Sequence, residues 1–193
     1  MYSQISDHEL VQLYVNGEVL ALETLVKRHK RKIFTSIVLL VKEKALAEDI
    51  FQDTFIKVIN TLKGGHYNEE GKFLPWVMRI AHNLVIDHFR REKKMPMSRD
   101  TEEYSIFDTI HLSEENVQDK MVRQQIHEKV RQLVDHLPEE QREVLVMRHY
   151  GDMSFKEIAD ATNVSINTAL GRMRYALLNL RKLIADKQLV LED

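Results

Sequence analysis

Apolar residues recur every three or four positions along most of the chain, the period of helices with one buried face. "SDHE" at residues 6–9 fits a capping box, in which Ser6 caps a helix and Glu9 reaches back. A short helix through Leu10, Leu13 and Tyr14 follows and ends near Gly17. A longer one carries Leu22, Val26, His29, Ile33 and Ile37 on one stripe. A third runs from about Leu46 to Leu62, with Ile50, Phe51, Phe55, Val58, Ile59 and Leu62 turned inward. "KGGHYNEEG" reads as a loop, and a fourth helix carries Phe73, Trp76, Val77, Ile80, Leu84 and Val85 before "RREKK".

Periodicity fades after residue 94, and the stretch 95–117 turns acidic, with Asp100, Glu102, Glu103, Asp108, Glu114 and Glu115. It reads as a flexible linker, whose Tyr104 and Phe107 offer apolar anchors. Helical spacing returns with Val122, Ile126, Val130, Leu133 and Leu137. Pro138 is expected at the first position of a new helix, and "SFKE" forms a second capping box. The final helix shows Ile166, Ala169, Met173, Ala176, Leu180 and Leu183 on one stripe. The pattern predicts an all-α fold of two small helical domains, 1–94 and 118–187, followed by a tail at 188–193.

Composition agrees: three Pro and six Gly among 193 residues leave little turn chemistry for a β fold. Zero Cys removes disulfides and thiolate chemistry, as suits a reducing cytoplasm. The start of the chain has no basic segment leading into an apolar run, so no signal peptide is expected. "IFTSIVLLV" is too short to span a bilayer, and no direct membrane insertion is expected. The nine His are scattered without metal spacing, and no nucleophile elbow or phosphate loop appears. No enzyme activity, metal or cofactor is therefore expected. A net charge of −2 argues against non-specific coating of nucleic acid, so any DNA contact must come from local basic patches.

One such patch follows from "SFKEIADATNVSINTALGRMRYALLNL" at residues 154–180, which has the order of a helix-turn-helix. Ala159 suits the helix crossing, Asn163 tolerates left-handed φ in the turn, Val164 ties the turn to the core, and Ser165 can cap the second helix. Ser165, Thr168, Arg172 and Tyr175 make one outer row; Asn167, Gly171, Arg174 and Arg181 make another. From Ser165 through Lys182 stand four basic residues and no acid, which suits a polyanion. The alternative is an ordinary antiparallel helix pair whose outer face happens to be basic, and the acid-free outer face in an otherwise acidic chain weighs against it.

These residues, in order along nearly the whole chain, resemble bacterial extracytoplasmic-function (ECF) sigma factors, the sigma-70-family initiation subunits of RNA polymerase. "AEDIFQDTFIKVINTL" is similar to the region 2.2 helix, and "GKFLPWVMRIAHNLVIDHFRREKK" resembles regions 2.3 and 2.4. "LVDHLPEEQREVLVMRHYGDMSFKEIADATNVSINTALGRMRYALLNLRKL" resembles region 4.

The resemblance implies a division of labour. Domain 1–94 would be region 2, whose Asp49, Gln52, Asp53, Ile56 and Lys57 meet the β′ clamp helices of core RNA polymerase. It would also capture a flipped −10 base with Tyr67 and Asn83, with Arg79, Arg90 and Arg91 on the backbone. Trp76, spaced with Phe73 and Ile80, is expected in the core rather than as a melting wedge. Domain 118–187 would be region 4, resting on the β flap and reading the −35 duplex with Ser165, Asn167, Thr168, Gly171, Arg172, Arg174 and Tyr175. A common family form has Val-Lys-Ser-Arg after the Thr, where this chain has Ala169, Leu170, Gly171 and Arg172. The −35 preference therefore does not carry over. Kinship also implies promoter DNA and an anti-sigma factor as partners. The competing reading is a two-domain helix-turn-helix regulator that binds an operator without being a polymerase subunit.

Overall fold

The computed structural model describes residues 2, 4–67, 72–94 and 132–186. The expected linker at 95–117, the apolar positions Val122, Ile126 and Val130, and the tail at 188–193 lie outside them. Among the described residues the regular structure is helical throughout: α1 Asp7–Val15, α2 Val19–Val41, α3 Lys44–Lys63, α4 Phe73–Lys94, α5 Glu139–His149, α6 Phe155–Thr162 and α7 Ile166–Asp186. Residues 132–135 are helical as well.

The ends of these helices follow local chemistry. The first capping box forms as predicted: the Glu9 amide donates to Ser6 Oγ, and the Ser6 amide donates to Glu9 Oε2 at 3.0 Å. Gly17 reverses the chain between α1 and α2 at φ +105°, a conformation that glycine adopts without steric cost. Pro138 departs from expectation. It sits at the N-cap rather than inside α5, because its ψ of 145° is extended, and its carbonyl accepts from the Gln141 and Arg142 amides.

Most of the predicted stripes build one large core, and a smaller cluster of Leu39, Val134 and Val146 takes in Leu180. Leu10, Leu25, Ile33, Ile37, Val58, Leu62, Phe73 and Val77 are almost fully buried, each contributing about 1.5–3 kcal/mol relative to exposure. His29, expected near the core, is buried, with Nε2 2.7 Å from Asp7. Burial pushes the Asp7 carboxyl up, but hydrogen bonds from His29 and Arg28 outweigh it and leave the group below its usual range. Ile166 departs from its predicted stripe and is 46% exposed. It is the first residue of α7, while Ala169 and Ala176 are fully buried.

The same core runs on into the C-terminal helices: Val144, Met147, Met153, Ile158, Ala159 and Ala169 cluster with the buried residues of α1–α4. Gly151 is buried at this junction, where a Cβ would stand 2.6 Å from the Met147 carbonyl and 3.2 Å from Met78 Cγ of α4. Only a residue without a side chain permits so close an approach.

Candidate nucleic-acid and polymerase interfaces

On α3 the stripe that buries Ile50, Phe55, Val58 and Leu62 turns the other side to solvent. Asp49, Gln52, Asp53, Ile56 and Lys57 are all exposed there. Ile56 is 55% exposed, an apolar residue on the same exposed side as Asp49, Gln52, Asp53 and Lys57. A groove between α3 and α4 is lined by Asp49, Asp53, Leu84, His88, Arg91 and Glu92. Arg91 therefore stands beside the acidic side of α3, and its Nε donates to the Asp87 carbonyl at 3.3 Å.

On the opposite flank of α4, Arg79, Asn83 and Arg90 are exposed, and Arg90 pairs with Asp87 at 3.4 Å. Tyr67 does not join them. Its ring packs on Trp76 with centroids 4.3 Å apart, and Trp76 in turn packs on Phe73 at 5.9 Å. Trp76 is thus half-buried against the core, as its spacing suggested. Tyr67 lines a depression with Val11, Gln12 and Leu62, while Asn83 lines a separate cleft with Asp87, Arg90 and Asn163. The two residues expected to capture a base are not assembled into one pocket in this conformation.

The helix-turn-helix is built as its sequence dictates. The second capping box starts α6: the Glu157 amide donates to Ser154 Oγ, and the Ser154 amide donates to Glu157 Oε2 at 2.8 Å. Ala159 is buried at the crossing, Asn163 takes the left-handed turn at φ 53°, and Val164 packs on the core. The Thr168 amide donates to Ser165 Oγ at 3.0 Å, capping α7. On α7, Ser165, Asn167, Thr168, Arg174, Tyr175 and Arg181 are exposed, and a Cβ on Gly171 would meet open space. Arg172 is the exception. It is half-buried and paired with Glu140 at 3.3 Å and Glu143 at 3.9 Å, both on α5.

Sequence patterns did not reveal the polar links between α1–α4 and the C-terminal helices. His82 Nε2 lies 2.5 Å from Glu143 Oε1, Lys72 Nζ donates to Glu157 at 3.0 Å, and Lys32 Nζ donates to Asp152 at 2.6 Å. Lys42 Nζ donates to the Asp135 carbonyl at 3.0 Å. A polar residue at a buried helical position, as His82 is, requires a partner, which is a signal available in sequence. The identity of that partner, 61 residues away, is not. Burial pushes the Glu157 carboxyl up, but bonds from Ser154 and Lys72 bring it down from 4.5 to about 2.

These features define an all-helical protein with a built helix-turn-helix. Residues 25–95 match the family described as Sigma-70 region 2, and residues 127–178 match Sigma-70, region 4. The RNA polymerase sigma-H factor of Pseudomonas aeruginosa is 29% identical over 177 residues, covering 90% of this chain and 91% of that protein. The ECF RNA polymerase sigma factor SigW of Bacillus subtilis is 28% identical over 175 residues, covering 88% of this chain and 92% of that one. The solved sigma factor RpoE from Bartonella quintana, in complex with the anti-sigma factor NepR, shares the fold. It has a TM-score of 0.60 at 16% identity, covering 86% of this chain and 98% of that chain. The chain belongs to the sigma-70 family of RNA polymerase sigma factors, and its relatives include members of the ECF group. Among the described residues, no helix is long and apolar enough to cross a membrane, and no group of three or more His, Asp or Glu could hold a metal ion.

Proposed function

We propose that this chain docks on core RNA polymerase in the cytoplasm and directs it to promoters through separate contacts with the −10 and −35 elements. The observation that carries the reading is the pairing, in one chain, of an exposed acid–amide face on α3 with a capped helix-turn-helix whose outer side is basic. Asp49, Gln52, Asp53, Ile56 and Lys57 are the proposed contacts to the polymerase clamp, because carboxylates around an apolar centre complement a basic helical partner. The helix-turn-helix would rest on the flap of the β subunit.

Ser165, Asn167, Thr168, Gly171, Arg172, Arg174 and Tyr175 are the proposed −35 contacts. Tyr67, Arg79, Asn83, Arg90 and Arg91 are the proposed −10 contacts. Phosphodiester synthesis belongs to the polymerase, so this chain has no reaction of its own to catalyse. The solved complex of RpoE with NepR supports an anti-sigma factor as a further partner.

The test is transcription reconstituted from purified core polymerase and this chain on a library of randomised promoters. Transcripts that start at a fixed distance from a shared −35/−10 sequence support the reading. Core polymerase that gains no promoter selectivity from the chain contradicts it.

A further inference from the structure

The first two turns of α7 carry two apolar side chains that neither the core nor the polar −35 contacts account for. Ile166 is 46% exposed and Leu170 is 44% exposed. Four residues apart, they are neighbours on one side of the helix, about 6 Å apart along its axis. Asn167 stands one turn before Leu170 and Arg174 one turn after it, and both are exposed. Leu170 is therefore set among the polar side chains of the outer face.

A lone exposed aliphatic residue is ordinary on a protein surface. Here two adjoin on the part of a helix-turn-helix that enters the major groove, in a stretch from Ser165 through Lys182 that holds no acid. That basic surround favours a polyanion over a protein as the occupant of the face. Gly171, next to Leu170, has open space where a side chain would stand, so nothing at that position keeps α7 away from the duplex.

The major groove offers one apolar group, the C5-methyl of thymine. An aliphatic side chain is the partner that removes it from water, while the amide of Asn167 suits the adenine paired with such a thymine. Resting on the sigma-factor reading above, we infer that Ile166 and Leu170 are specificity residues of the −35 reader, each taking the methyl group of a thymine. Their spacing of about 6 Å, against about 3.4 Å per base step, sets the two thymines one or two steps apart. The −35 element this chain prefers therefore holds A·T pairs beneath the start of α7, chosen by apolar burial as well as by hydrogen bonds. Each buried methyl contributes about fourfold in affinity.

The test uses holoenzyme reconstituted from core polymerase and this chain, on the promoter selected from the randomised library. Each −35 thymine, on either strand, is replaced in turn by deoxyuridine, which lacks the methyl and keeps every hydrogen-bonding group. Wild-type holoenzyme should lose about fourfold in promoter affinity at one or two of these positions and nothing at the others. Leu170→Ala should bind the thymine and deoxyuridine promoters alike at one such position, and Ile166→Ala at the other. Alanine suits an exposed helical site, so neither variant should have a lowered Tm. Equal affinity of wild type for every thymine and deoxyuridine promoter would overturn the inference, as would a selected −35 element with no thymine on either strand. A Leu170→Ala protein that keeps the methyl preference but binds core polymerase less tightly would overturn it in favour of a protein-facing role. Wild-type holoenzyme indifferent to the whole −35 sequence would remove the sigma-factor reading, and the inference with it.

Discussion

The guanidinium of Arg172 lies 3.3 Å from a carboxylate oxygen of Glu140, one helix away on α5. Arg172, one of the proposed −35 contacts, is thus held half-buried against its own domain. Such a pair is pre-ordered for a new acceptor, since little side-chain freedom remains to be lost on binding DNA.

Arg172→Ala should therefore cost about 1–3 kcal/mol of −35 binding, and only against the base it contacts. Measured over all single-base −35 variants, the loss should concentrate at one position. A loss spread evenly over every variant would make Arg172 a phosphate contact.

Glu157 makes a pH-dependent contribution. Its folded value of about 2 lies below the ordinary 4.5, so its stabilisation is fully present above about 4.5 and is lost as pH falls from there toward 2. The gap in urea midpoint between wild type and Glu157→Gln should be widest near neutrality and shrink across that window. A gap independent of pH would contradict the assignment of the shift to the Ser154 and Lys72 bonds.

Gly171 separates stability from function. A Cβ there meets nothing within 4 Å, so Gly171→Ala should stabilise α7 by about 1 kcal/mol, read as a raised Tm. If α7 lies close against the duplex at that point, −35 affinity should fall in the same variant. A raised Tm with unchanged affinity would remove Gly171 from the interface.

Helices, caps and turn residues were legible in the sequence because each depends on residues within one or two turns. Ser6 with Glu9, Ser154 with Glu157, and Asn163 in the left-handed turn all stand as read. Ile166 strayed because it opens α7 on the exposed side, and Pro138 because its extended ψ places it at the N-cap, before α5 begins. The contacts of His82, Lys72 and Lys32 were not legible. Periodicity reports which side of a helix is buried but not which distant element covers it. For the same reason the sequence could group Tyr67 with Asn83 by kinship, while the fold sets them in separate depressions.

Asp49 and Asp53 stand one turn apart on the exposed side of α3 and carry the central claim, that this surface holds core RNA polymerase. The direct test is competition with a housekeeping sigma subunit for purified core enzyme, using wild type and Asp49→Ala/Asp53→Ala. Saturable, competitive binding that the double variant weakens, with its helical CD signal and Tm unchanged, is the predicted result. Equal binding by both proteins would contradict the assignment of this face, and no binding by folded wild type to a cognate core enzyme would contradict the account as a whole.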